Sequence, residues 1–281
     1  MIPIKVTDHS VSQEEFVLEY NSDFELYKTS PIPENISKYY ESDTYISHTD
    51  SKQSLLDKLY QIVKRGALKN KEKLVSGLTE VNNKSILDIG SGTGSFLEVL
   101  NKNGWHSIGI EPNEKARDLS REKNAISVES SKEIQNYTFD VITMWHVLEH
   151  VEDLDHQFSE FKRLLNPEGS ICIAVPNYKS YDAVFYKSFW AAYDVPRHIW
   201  HFSETAIQKI SEGYGFDLVI KKPMWFDSFY VSLLSEKYKK GKINYLTAFS
   251  VGLLSNLKAI INGQFSSKIY ILKRNNQNKA I

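Results

Sequence analysis

The stretch SILDIGSGTGSFLEVL, Ser85 to Leu100, constrains this chain more than any other. An apolar run ends around Asp88. Gly90, Gly92 and Gly94 follow at alternate positions, and then a helical pattern begins. Glycine after a strand lets the backbone turn tightly and lets a ligand approach the main chain. The dinucleotide spacing G-x-G-x-x-G is absent, and no Lys-Ser or Lys-Thr pair follows, so this loop is not a P-loop.

Around this stretch, short apolar runs alternate with helical segments. The strand candidates are Ser85–Ile89, Ser107–Glu111, Ile126–Glu129, Phe139–Met144, Ser170–Pro176 and Phe216–Lys221, and a last strand, Lys268–Lys273, closes the chain. Such alternation predicts a parallel sheet covered on both faces. Residues 1–50 are polar, rich in aromatics and weakly periodic. Leu55, Leu59, Ile62 and Val63 recur at helical spacing. Residues 228–262 read as two apolar helices inserted before the last strand.

A chain of 281 residues holds one large domain or a domain with an appendage. A formal net charge of −1 gives no global sign of a nucleic-acid partner. The single cysteine, Cys172, excludes an internal disulfide and a cysteine-rich zinc site. No signal pattern and no apolar run of membrane-spanning length is present, which predicts a cytoplasmic protein without stable membrane insertion.

Glu111 stands at the tip of the second strand, in GIEPN. A carboxylate there can accept both hydroxyls of a ribose, a geometry that NAD enzymes share. The pattern acid-x-G-x-G-x-G, with GIEPN, FDVITMWHVLEHVEDL and LLNPEGSICIAVPN, resembles the class I S-adenosylmethionine (SAM)-dependent methyltransferases over residues 80–220. The resemblance implies an α/β, Rossmann-like fold: a seven-stranded sheet of order 3-2-1-4-5-7-6 with helices on both faces. It implies SAM as cofactor and S-adenosylhomocysteine as product. Gly90, Gly92 and Gly94 would pass beneath the methionine part, and Asp88 would orient its ammonium. Glu111 and Pro112 would lie at the ribose, with Trp145 and His146 beside the cofactor. Many relatives hold the adenine amino group with an Asp after the third strand. Here Glu129, Ser130 or backbone groups take that place.

MWHVLEHV is most similar to the branch containing ubiquinone-biosynthesis O-methyltransferases. FWAAYDVPRHIWHFSETAIQKISEGYGF supports that branch, and the resemblance implies that it would form one wall of the substrate pocket. The resemblance divides the chain into a leader and helix, 1–77, and a SAM-binding domain, 78–281, carrying the insertion 228–262. The leader would lie over the cofactor as a lid, with Tyr39, Tyr40, Tyr45 and His48 suited to face it, or would merely pack onto the domain.

Two of the eight histidines stand at His146 and His150, and with Glu149 they occupy i, i+3 and i+4, one helical face. Metal-dependent relatives carry Glu, Glu and His there. His146 replaces the first Glu, and a metal is not expected, although the set remains capable of ligation. His150, His198 and His201 are candidate bases for removing the acceptor's proton. Arg197 could bind an anionic group of the substrate or form a structural salt bridge. Trp190 belongs to the pocket wall or the core. Phe229 and Tyr230 of the insertion would face the SAM methyl if it caps the acceptor side. A homodimer contact, a membrane surface and packing on the leader are its other uses. The function expected is methylation of a small molecule on oxygen. An NAD-dependent oxidoreductase and a non-catalytic SAM-binding partner protein are the alternatives.

Overall fold

The computed structural model describes residues 3–40, 55–80 and 84–275, with the side chains of 55–64 excepted. Seven strands form the main sheet: β4 (Ser85–Ile89), β5 (His106–Ile110), β6 (Ile126–Val128), β7 (Phe139–Trp145), β8 (Leu165–Pro176), β10 (Phe216–Pro223) and β11 (Ser267–Arg274). They lie in the order β10-β11-β8-β7-β4-β5-β6. Counted from β4 within this sheet, that order is 3-2-1-4-5-7-6, the one expected. All neighbours are parallel except β11, which runs antiparallel to both β8 and β10.

The central strands are buried along nearly their whole length because helices cover both faces. Alternation sends Leu87, Ile142 and Ile171 to one core, with Phe158, Phe161 and Leu164 of α4 (Leu154–Leu164). It sends Ile86 and Val141 to the other, with Val75 of α1 (Leu55–Ser76) and Phe96, Leu97 and Leu100 of α2 (Ser95–Lys102). Caps fix the helix starts. Asn113 begins α3 (Glu114–Glu122), Asp153 begins α4 and Ser203 begins α6 (Glu204–Gly213), each accepting a backbone N–H from within the first turn.

The leader is more ordered than its weak periodicity suggests. β1 (Ile4–Thr7), β2 (Glu15–Asn21) and β3 (Leu26–Ser30) form an antiparallel sheet, extended by β9 (Trp200–His201) from far along the chain. A third core joins Val6, Phe16, Leu18 and Tyr27 of this sheet to Tyr186, Trp190 and Tyr193, and to Val231 and Val251 of the insertion. The described part of the leader therefore packs on the 178–195 segment. The insertion is a helical hairpin, α7 (Asp227–Lys240) and α8 (Tyr245–Asn262); the short α5 (Tyr181–Tyr186) lies beside it.

Candidate functional site

The glycine loop leaves β4 with Gly90, Gly92 and Gly94 all at positive φ. The N–H groups of Gly90 and Ser91 donate to Ile110 O at 2.8 and 3.0 Å, folding the loop over the end of β5. A Cβ at Gly90 would run into Val147, whereas one at Gly92 would meet open space. Gly92 thus exposes its backbone to a ligand. Glu111 reaches back from the tip of β5. One carboxylate oxygen accepts from Gly92 N–H and the other from Asn113 N–H, each at 2.9 Å.

Asp88 is buried beneath this loop and accepts from Thr143 Oγ1 at 2.6 Å. Burial raises its pKa to about 6, against the pull of the Thr143 hydroxyl and the Lys71 ammonium. Lys71 comes from α1. Its Nζ lies 4.3 Å from the centre of the Trp145 ring, within the field of Asp88 and Asp227. Burial lowers its pKa while both carboxylates oppose the shift.

At the end of β7 the backbone turns through His146, which holds φ 57. This left-handed conformation is uncommon for a residue with a side chain. Two carboxylates flank the imidazole: Glu149 Oε1 lies 3.3 Å from Nδ1 and Asp227 Oδ2 lies 3.1 Å from Nε2. Burial alone would lower its pKa, but these acids hold the imidazolium and carry it to about 10. The imidazole thus bridges Glu149, in the turn after β7, to Asp227, the first residue of α7.

His150 and His198 stand beside it with rings 4.5 Å apart, edge to face. His150 Nδ1 lies 2.9 Å from Arg197 O and 3.0 Å from Tyr40 Oη. Burial and the neighbouring His198 lower its pKa to about 4, so at neutral pH its imidazole is uncharged. Glu149, His150 and His198 bring one ligand atom each within 4.8 Å of one another, and Glu149 Oε2 is buried without a hydrogen-bond partner. Among the described residues the metal-capable group is therefore Glu149, His150 and His198, rather than the His146, Glu149, His150 set read from helical spacing. The turn is a short 3-10 helix, Leu148–His150, and His146 swings toward Asp227.

Several predicted residues lie elsewhere. Trp190 is 2% exposed and its indole N–H donates to Asp182, so it is core and offers a ligand no free face. The Arg197 donors are spent on Asp8, Ser10, Asp194 and the Tyr39 carbonyl. It is the buried salt bridge of the two readings and not an anion clamp. His201 is buried in β9 against Thr29, with burial pressing its pKa well below the usual value. That environment suits a neutral structural imidazole. Phe229 packs on Phe249 of α8 at 5.3 Å, and Tyr230 is 55% exposed. From the hairpin, Asp227 reaches the turn after β7 through His146. Pro112 and Glu129 are exposed beyond β5 and β6, and Ser130 starts the short helix Ser131–Ile134. Tyr45 and His48 lie outside the described residues.

Lys71 and Asp227 were not legible as site residues. Lys71 is one of several lysines in α1, and Asp227 lies 81 positions from its partner His146.

The model of the family described as a methyltransferase domain matches residues 61–221. The chain is 26% identical to a ubiquinone biosynthesis O-methyltransferase of Pelagibacter ubique over 193 residues, which are 63% of this chain and 79% of that one. It is 24% identical to the protein of the same name from Neisseria meningitidis over 195 residues, 62% of this chain and 80% of that one. Among solved structures, magnesium protoporphyrin IX methyltransferase from Synechocystis, with S-adenosylhomocysteine bound, superposes with a TM-score of 0.57. It is 14% identical and the match covers 86% of this chain and 100% of that one, a likeness of fold.

Proposed function

The chain belongs to the methyltransferase-domain family and is a SAM-dependent methyltransferase; on that premise we propose that it methylates a small molecule on oxygen. The observation that carries the cofactor reading is the paired carboxylates, Asp88 and Glu111, around an open glycine backbone where the order of the sheet reverses. Ligands of open α/β sheets bind at such a switch point.

The donor set fits SAM. Glu111 offers two oxygens to a ribose diol, and Gly92 leaves the space a Cβ would fill. The ionised Asp88 suits an ammonium, Lys71 suits the opposite carboxylate, and the Trp145 face suits a cation. Bound SAM supplies an electrophilic methyl group on a sulfonium. The rest falls to the chain. His150 is the proposed acceptor of the substrate's proton; burial and His198 disfavour its imidazolium, and Glu149 beside it opposes them in part. Tyr40 closes that side, its hydroxyl on His150. The bridge from His146 to Asp227 ties the start of the hairpin to the turn after β7. The names of the relatives support oxygen as the acceptor atom.

The test is transfer of labelled methyl from SAM to a panel of phenols. Wild type is expected to label at least one phenol, and His150→Gln to lose roughly 100-fold or more of that rate. Equal rates in the two proteins would remove His150 from the chemistry. A second reading, favoured by the unpartnered Glu149 oxygen, places a divalent cation among Glu149, His150 and His198. Activity that survives EDTA supports the proton-transfer reading. Activity lost to EDTA and restored by Mg²⁺ or Mn²⁺ supports the second.

A further inference from the structure

The hairpin α7–α8 is apolar on the wrong side. Toward the body, α8 buries small and polar residues: Ala248, Val251, Gly252, Ser255, Asn256 and Ala259. Asn256 donates to the Trp225 carbonyl at 2.8 Å and Ser255 to Asp182 at 2.7 Å. Outward it turns Leu246, Phe249, Ile260 and Ile261, exposed by 79%, 60%, 62% and 89%. Phe226 and Tyr230 at the start of α7 add 67% and 55%. Single exposed apolar residues are ordinary, but a continuous helix face of large ones marks an interaction site.

The charge of the same segment says what kind of surface it meets. Residues 228–262 contain five lysines and one acid, Glu236, in a chain whose net charge is −1. Glu236 is buried and paired with Lys240. Lys237, Lys239, Lys240 and Lys242 are exposed at the turn of the hairpin, next to Tyr245 and Leu246. A second copy of the chain would bring more of the same charge, whereas anionic headgroups neutralise it. An apolar helix face rimmed by lysines, with tyrosines at its edge, matches a helix lying in a lipid interface. Among the described residues no helix is long and apolar enough to cross a membrane. The hairpin would therefore lie on the surface.

We propose that the outer face of α7–α8 docks the protein onto an anionic lipid surface, with α8 lying along it. The base of the hairpin carries Asp227, bonded to His146, so the docked element is tied directly to the turn after β7. This goes beyond the proposed reaction and stands without it.

Flotation of the full-length chain with vesicles tests the proposal. One set is pure phosphatidylcholine, the other an equimolar mixture with phosphatidylglycerol. Wild type is expected to float with the anionic vesicles only, and less so at high salt. Leu246→Glu with Ile261→Glu should abolish flotation, and Lys237→Gln with Lys242→Gln should weaken it by roughly tenfold or more. SAM titration of each variant reports whether it is folded, and it separates a failure here from a failure of the methyltransferase reading. Wild type that does not float with anionic vesicles overturns the proposal, as does flotation indifferent to all four substitutions. A dimer in light scattering that Leu246→Glu with Ile261→Glu dissociates, without vesicle binding, overturns it in favour of a second copy.

Discussion

His146 combines a positive φ with two flanking acids, and both features are testable. Its folded pKa, about 10, stands above the ordinary histidine value of 6.5. The stabilisation is therefore fully present below about pH 6.5 and is lost as pH rises toward 10. Thermal melts of wild type should show Tm falling across that window. His146→Asn, which tolerates the backbone conformation, should show a flatter profile; equal slopes would remove the ion pairs from the account. Asp88 gives the opposite window. Its carboxyl titrates near pH 6, so the carboxylate that attracts the cofactor's ammonium forms as pH rises through that value. SAM affinity should strengthen from pH 5 to 7.5 in wild type, by about tenfold per unit below the pKa. In Asp88→Asn, calorimetry should find it level. The loop that brings Glu111 to the glycines beside Asp88 was legible because its spacing is local. Arg197 and Trp190 were not, because their partners are chosen by folding. Asp8 lies 189 positions from Arg197, and the core around Trp190 is assembled partly by the leader.

The strands of the main sheet were readable to within a few residues, since each is a short apolar run bounded by polar turns. The leader sheet was not. β1 has four residues, and β3 takes as its partner the two-residue strand β9, about 170 positions onward. No pattern in a single sequence encodes so distant a pairing. The two helices of the insertion were visible as apolar segments. What their periodicity hid was that the small side of α8 packs inward. Gly252 marks the closest approach, for a Cβ there would press on the Phe229 ring and backbone. Gly252→Leu should destabilise the protein by about 1–3 kcal/mol through overpacking, read from urea melts. An unchanged midpoint would mean that the helices do not pack as described. The predicted use of Phe229 as a pocket residue competes with this contact, since its ring is held against Phe249.

At the scale of the molecule, three cores divide the work. Two clothe the sheet and fix the strand ends that carry Asp88, Glu111 and His146. The third joins leader, 178–195 segment and hairpin. The cofactor half was legible because it is written in motifs. The third core is assembled from segments far apart in sequence, which no local pattern records. On the proposed function, SAM is held through Glu111 and the glycine loop. Calorimetric titration with SAM of wild type and of Glu111→Ala tests it most directly. Charge-assisted hydrogen bonds contribute about 1.5–3 kcal/mol each, so the variant should bind at least about tenfold more weakly with its melting transition intact. Absence of binding by wild type, or equal affinity in the two proteins, would contradict the account.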